Sequence, residues 1–518
     1  MPESLEESLD RYISKVAQRR ATRQESRRIK FEYNKNKISQ MTYQDSLSLD
    51  FHQPAYWESN IYNPSIALKN KKFLAQKISE NITNNSYKPH PPEKIPIKKS
   101  GGSREISIFG IVDEAVSLLF FKNLLRKNLP YFSNRSYAYR NDRFTYDAIK
   151  YITEEFSKKS RIYIAEYDFS KYFDSIDHEY ILNILYSGKY HVTETEINLI
   201  KSFLSIMPSD KGIPQGTAIS LFLANIALSE LDREFERIGI SFVRFSDDVL
   251  IWTESYSDLN SAIQNIFMWS VNSRVNLNPN KSFGVRILTK ISDLKSEFTS
   301  TDHIEFLSHQ ISLGDTRISK KSVQNIKNKI IRIINFHLLD QISTPTKLQQ
   351  YKFNNRVDLS PSEPKDKDYI SLIWALRKMF YGSVPPAKVR RFDKKGKVYE
   401  SNLTGFIAYF AACTDSTQVR ELDEWVRLSI LIALKKRSKI LMNYYNLSKD
   451  KVPMIWNVKG VSELNKTMII HSNKSSQPVD ITIPSMETYF NLTRKSVTNF
   501  GSSVLCLENE LRITINKY

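Results

Sequence analysis

Two adjacent aspartates, Asp247 and Asp248, sit between two short apolar runs, Ile240 to Val243 and Val249 to Trp252. That pattern predicts a β-hairpin with the tetrad Phe245-Ser246-Asp247-Asp248 at its turn. Neighbouring carboxylates repel, so such a turn calls for a cation close by. A magnesium ion, hard and oxygen-seeking, meets that need. Paired aspartates are common in solvated turns, and this pair alone would carry little. A third, Asp168, ends another apolar run, Ile162 to Tyr167, after which Phe169-Ser170-Lys171-Tyr172-Phe173-Asp174 breaks into a helix-like stretch. Two strands presenting three carboxylates to one point make a two-metal site for in-line phosphoryl transfer, the chemistry of nucleic-acid polymerases.

At these residues the chain resembles reverse transcriptases. Asp168 and its surroundings are similar to their motif A, and Phe245 to Asp248 to the Tyr-Xaa-Asp-Asp box of motif C. Gly212-Ile213-Pro214-Gln215-Gly216, followed by the helical run Leu221 to Phe235, resembles motif B. Leu277-Asn278-Pro279-Asn280-Lys281 resembles motif D, and Phe306-Leu307-Ser308-His309-Gln310-Ile311 resembles motif E, with Ser308 where most members have Gly. All five stand in the family's order. Phe245 replaces the usual Tyr, and Ser246 the usual small apolar residue.

The resemblance implies an α+β, right-hand polymerase fold: fingers and palm built of antiparallel sheet plus helices, then a helical thumb and C-terminal region. Its expected divisions are a basic helical extension over 1–60, fingers over 61–165, palm with fingers insertions over 166–318, thumb over 319–440 and an unassigned extension over 441–518. It implies two Mg2+ ions, with Mn2+ as a substitute, bridged by Asp168 and Asp247 and completed by the Phe169 carbonyl. Asp248 binds more weakly or shapes the turn. Phe173 is expected beneath the incoming sugar, where a ring leaves no room for a 2′-hydroxyl. Tyr172 and Phe173, side by side at a helix start, are not expected both to face inward. Gln215 is expected to face the nucleotide, Gly216 to let backbone approach the nascent base pair, and Lys281 to act as general acid for pyrophosphate departure.

Upstream, Gly101-Gly102-Ser103 predicts a hairpin turn between Ile95-Pro96-Ile97 and Ile106-Ser107-Ile108, with Lys98, Lys99 and Arg104 near the tip. Arg104 matches the family's triphosphate lid; an ordinary solvated turn is the alternative for the two lysines. Ser136-Tyr137-Ala138-Tyr139-Arg140 resembles the second fingers motif, which makes Arg140 and Arg143 expected template contacts. A breaker-free basic helix from Arg11 to Lys35 carries Arg19, Arg20 and Arg27, either as a solvated face or as an RNA contact. Beyond Lys320, the segments Asn402 to Phe410 and Leu422 to Arg427 resemble the helical thumb of group II intron reverse transcriptases, though an unrelated helix pair stays open.

The chain has 518 residues, with 75 Lys and Arg against 56 Asp and Glu and a net charge of +19, which favours a polyanionic partner. No apolar run approaches the ~18 residues of a membrane span. Isolated Cys413 and Cys506 suit neither a zinc cluster nor a disulfide framework, and with no apolar leader the expected compartment is the cytoplasm. Nothing resembles a ribonuclease H domain or a zinc-bearing homing endonuclease. The outline therefore resembles the bacterial anti-phage, abortive-infection reverse transcriptases. The expected partners are dNTPs, a DNA product and an RNA template, here a dedicated structured non-coding RNA, with a homo-oligomer left open. The alternatives are a maturase- or retron-type enzyme without endonuclease, and a non-catalytic RNA-binding protein on a polymerase scaffold. Metal-dependent dNTP incorporation separates the last from the rest.

Overall fold

The central sheet is built from runs too apolar to tolerate water on either side. A computed structural model describes residues 3–38, 54–99, 102–279, 282, 284–290, 298–360, 364–400, 402–464, 469–472 and 475–505. Near the N-terminus, β1 (Glu93–Lys99) and β2 (Gly102–Ile108) pair antiparallel as a hairpin, with Ile95 opposite Ile106. The central sheet contains β3 (Arg161–Tyr167), β4 (Ser241–Phe245), β5 (Asp248–Thr253), β6 (Gly284–Thr289) and β7 (Ser300–Thr301), in the order β4-β5-β3-β6-β7.

Side chains alternate across this sheet with the period of two that a strand imposes. Ile162, Ile164, Val243, Leu250 and Trp252 pack with Ala148, Ile149, Ile152 and Phe156 of the helix Thr145–Ser157. On the other face Ala165, Tyr167, Phe242, Val249 and Ile251 share a core with the helices Ile219–Ala227, Ser229–Ile238 and Tyr256–Ser273. A sheet covered on both faces has only its strand ends left to reach solvent, and Asp168 and the β4–β5 turn lie at one such end.

A second sheet, β8 (His303–Phe306), β9 (His309–Ser312) and β10 (Thr316–Ile318), links the central sheet to the helical C-terminal region. Its first turn holds Leu307 at φ 46° and Ser308 at φ 67°, left-handed conformations that suit glycine at the position Ser308 occupies. His309 is fully buried there, its ring 5.7 Å from that of Tyr409 and 5.2 Å from that of Phe410. Its Nδ1 lies 2.8 Å from the Leu307 carbonyl, and its Nε2 meets no hydrogen-bond partner among the described residues. Burial lowers its pKa to about 4, against the opposing pull of that carbonyl.

This ring sets an acid limit on stability. The unfolded chain protonates it near pH ~6.5, whereas the folded chain resists protonation down to about 4. Stability is therefore lost as pH falls through that window, by at most roughly 3 kcal/mol. In His309→Phe, the slope of unfolding free energy against pH between those values should flatten by about one proton, measured by urea titration at several pH values. An unchanged slope would put the acid sensitivity elsewhere.

The C-terminal region is helical. Helices Lys320–Leu338, Lys367–Tyr381, Thr417–Tyr445 and Met486–Phe500 pack around one core that includes Ile330, Leu372, Ile430 and Phe490. Residues up to 505 thus share the core of the expected thumb. Asp423 caps the Met486–Phe500 helix, accepting from the backbone N–H of Met486 at 2.8 Å and of Glu487 at 3.0 Å. This mixed helix and sheet, ending in a helical region, is the α+β arrangement a right-hand polymerase requires. No helix among the described residues is long and apolar enough to cross a membrane.

Candidate active site

β3 ends at Tyr167, paired with Val249, so Asp168 and Asp248 each directly adjoin the last pair of that ladder. Phe245 pairs with Asp248, leaving Ser246 and Asp247 as a two-residue turn at the hairpin apex. Ser246 takes φ 62°, the left-handed conformation such turns demand. The tetrad therefore folds as the pattern of apolar runs predicts. Asp168 is buried, Asp247 half-buried and Asp248 exposed.

Asp168 is aimed by Asn278, whose Nδ2 donates to its Oδ2 at 2.7 Å and whose backbone N–H donates to its carbonyl at 2.8 Å. The Ser170 N–H donates to the Asn276 carbonyl at 2.8 Å, tying the segment after β3 to residues 276–278. The expected motif D therefore lies against motif A, although Lys281 itself falls outside the described residues. Asp247 is near enough to Tyr172 to help raise its hydroxyl pKa, a shift caused chiefly by burial.

The turn rests on a buried polar network. Arg244, fully buried in β4, donates from Nε and Nη2 to the two oxygens of Asp232 at 2.7 and 2.6 Å. Its Nη1 donates to Asn225 Oδ1 at 3.2 Å and to the Ser246 carbonyl at 3.1 Å. Asn225 Nδ2 in turn donates to the Ala138 carbonyl at 3.0 Å. Sequence reasoning passed over Arg244, Asp232, Asn225 and the role of Asn278. The one available signal was a charged residue, Arg244, inside the run Ser241–Phe245.

Several expected contacts fall elsewhere. Tyr172 and Phe173 are both buried, contrary to the expectation that only one could face inward. The Tyr172 hydroxyl finds the Ala224 carbonyl at 2.6 Å, which makes burial of a phenol affordable. The Arg140 guanidinium, expected along the template path, is buried and donates to both oxygens of Asp142 and to the carbonyls of Ser133 and Ser136. Arg19 and Arg20, expected as a solvated face or an RNA contact, are engaged within the protein. Both pair with Glu114 and so dock the N-terminal helix (Leu5–Ile38) onto the helix Ile111–Asn128, where Arg20 also donates to the Phe109 carbonyl at 2.6 Å. Burial lowers the Arg20 pKa to about 10. Arg27 is exposed, and Arg143 donates to Asn134 Oδ1 at 2.8 Å.

Gln215 Nε2 donates to Asp174 Oδ1 at 2.8 Å. Gly216 has φ 98°, and a Cβ there would sit 2.4 Å from the Ser107 carbonyl, so the backbone it admits is that of β2. Arg104 lies on β2 opposite Ile97, on the hairpin that Gly216 abuts.

Residues 96–311, from β1 to β9, match the family model described as "Reverse transcriptase (RNA-dependent DNA polymerase)". Residues 96–311 form a reverse transcriptase domain. That reverse transcriptase domain carries Asp168, the Asp247-Asp248 turn and the Arg244 network. Its curated relatives include the group II intron-encoded protein LtrA of Lactococcus lactis subsp. cremoris, 27% identical over 207 residues, or 37% of this chain. An uncharacterized 91 kDa protein in the cob intron of Schizosaccharomyces pombe is 29% identical over 178 residues, or 33% of this chain. The matched regions span 33% and 22% of those two relatives' own lengths. Among solved structures, the apo telomerase from Candida Tropicalis aligns over 74% of this chain and 72% of that one, at 12% identity and a TM-score of 0.35. So loose an overlap bears on neither activity nor substrate.

Proposed function

We propose that this chain is an RNA-directed DNA polymerase that adds dNTPs by two-metal phosphoryl transfer, working on a dedicated non-coding RNA in bacterial anti-phage defence. One observation carries the polymerase reading: Asp168 at the end of β3 sits beside the Asp247-Asp248 turn of β4–β5, inside a reverse transcriptase domain.

The donor set fits a hard divalent cation, being carboxylate oxygens with the Phe169 carbonyl adjacent. Among the described residues no three His, Cys, Asp or Glu side chains converge as a ready metal cage. Magnesium is usually held by one or two carboxylates together with substrate phosphates. Asp168 and Asp247 would hold the ions, which when bound activate the primer hydroxyl and neutralise the departing pyrophosphate. Asn278 keeps the Asp168 carboxylate in one orientation, and the Arg244 network keeps the turn in place. Phe173, buried at the start of the Tyr172–Ser175 helix, would exclude a 2′-hydroxyl, while Arg104, Gln215, Gly216 and Lys281 are the residues proposed around the triphosphate. Primer extension on an RNA template with magnesium and dNTPs tests the activity. No incorporation would leave the second reading, an RNA-binding protein on a polymerase scaffold.

The RNA partner is proposed from charge. With Arg19, Arg20 and Arg140 engaged inside the protein, the net +19 still leaves exposed cations such as Arg27, Lys320, Lys321 and Lys329. Each phosphate contact should steepen the salt dependence of binding by about 0.7–0.9 in log–log slope. Purification from the native host at moderate salt is expected to recover one abundant small RNA. Recovery of random fragments alone would argue for a general primer–template enzyme. The defence role rests on resemblance of outline. It predicts that plaque counts fall when the chain is expressed and recover in an Asp247→Ala variant.

A further inference from the structure

Tyr139 stands where the two halves of the candidate site meet. Its hydroxyl lies 2.7 Å from the Ser246 hydroxyl, at the apex of the aspartate turn. Its ring meets the Phe173 ring edge to face, with centroids 6.3 Å apart and planes at 90°. The residue is buried and takes φ 60°, a left-handed conformation costly for an aromatic residue, which persists only where surroundings impose it. Three backbone-held contacts supply those surroundings. Tyr137 N–H donates to the Arg244 carbonyl at 3.0 Å, Arg244 N–H donates to the Arg135 carbonyl at 2.9 Å, and Asn225 holds the Ala138 carbonyl. The loop bearing Tyr139 is thus fastened to β4, with Tyr139 aimed at both the turn and Phe173.

We propose that Tyr139 is a positioning residue with two separable roles: its hydroxyl fixes the Ser246-Asp247 turn that holds metal, and its ring fixes Phe173 and so sets sugar selection. The first role follows from burial. Ser246 is buried, so its hydroxyl needs the partner Tyr139 supplies, and a turn of two residues transmits any tilt at Ser246 directly to Asp247. The second follows from packing. A phenylalanine excludes a 2′-hydroxyl only while its ring is held from behind, and an edge-to-face neighbour restrains it. This rests on the polymerase reading and on Phe173 as the sugar gate.

The two roles divide between two substitutions in the full chain. Tyr139→Phe keeps the ring and removes the hydroxyl. It should lower kcat about fivefold to tenfold and weaken Mn2+ binding, measured by electron paramagnetic resonance, by a similar factor, with the rNTP-to-dNTP incorporation ratio unchanged. Ser246→Ala should reproduce those losses, and the double variant should be no worse than either single one. Tyr139→Leu removes the ring and should in addition raise the rNTP-to-dNTP ratio about tenfold, in the direction of Phe173→Val. A purely structural residue would lower melting temperature and rate together without this division. If Phe173→Val raises the ratio and Tyr139→Leu does not, the ring role fails while the gate stands. If neither raises it, the gate and the ring role fail together. Mn2+ binding and kcat unchanged in both Tyr139→Phe and Ser246→Ala would overturn the hydroxyl role.

Discussion

Asp247→Ala combined with Asp248→Ala is expected to abolish DNA synthesis and leave the fold intact. Both residues lie at the β4–β5 turn, Asp247 half-buried and Asp248 exposed, and neither belongs to a hydrophobic core. Removing two adjacent like charges relieves repulsion, so stability should hold or rise slightly. Loss of the ligands removes charge stabilisation of several kcal/mol at the transition state, a fall of roughly 10³-fold or more in rate. Asp168→Asn should act in the same direction, because the Asn278 amide can still find an oxygen to bond while the negative charge is gone. Rapid-quench primer extension with magnesium and dNTPs, beside thermal melts of the same preparations, is the measurement. A double variant extending primer at the parental rate would mean that the catalytic carboxylates lie elsewhere.

What was legible in the sequence is what short-range pattern encodes. The runs flanking Asp247-Asp248 became β4 and β5, the run ending at Tyr167 became β3, and the glycine-turned segment became the β1–β2 hairpin, because alternation and turn chemistry act over a few residues. Partners of charged side chains obey no such rule. Arg19 and Arg20 look like a solvated or nucleic-acid-binding face until Glu114, far along the chain, comes to meet them. The charged stretch before Asp368, with Pro345, Pro361 and Pro364, carries no apolar period that would announce a core. In the fold Asp366 and Asp368 are buried and bind Arg437, which is itself buried in the Thr417–Tyr445 helix. The Met486–Phe500 helix went unassigned for a related reason. Its inward stripe runs Tyr489, Phe490, Thr493, Ser496, Val497, so hydroxyls interrupt the apolar period that would have announced it.

Arg244→Met should produce the largest loss of stability of any single change near the site, about 3–5 kcal/mol. Burial alone would depress the Arg244 pKa, yet the Asp232 carboxylate more than offsets that and holds the guanidinium charged. With the side chain gone, Asp232, only 1% exposed, is a carboxylate sealed in the core without its cation. Such a charge is worse than no pair at all. Arg244→Met with Asp232→Leu should therefore regain most of the lost stability, since a buried pair replaced by apolar groups of similar size is often close to neutral. Activity should not return with it. The Ser246 carbonyl loses its Nη1 donor in both variants, so the aspartate turn stays unbraced even when the core is repaired. Urea midpoints and primer-extension rates on the single and double variants read the two quantities separately. Full recovery of rate in the stabilised double variant would show that Arg244 serves the core alone. Recovery of stability without rate would show that the buried ion pair holds the turn in a geometry that apolar packing cannot supply.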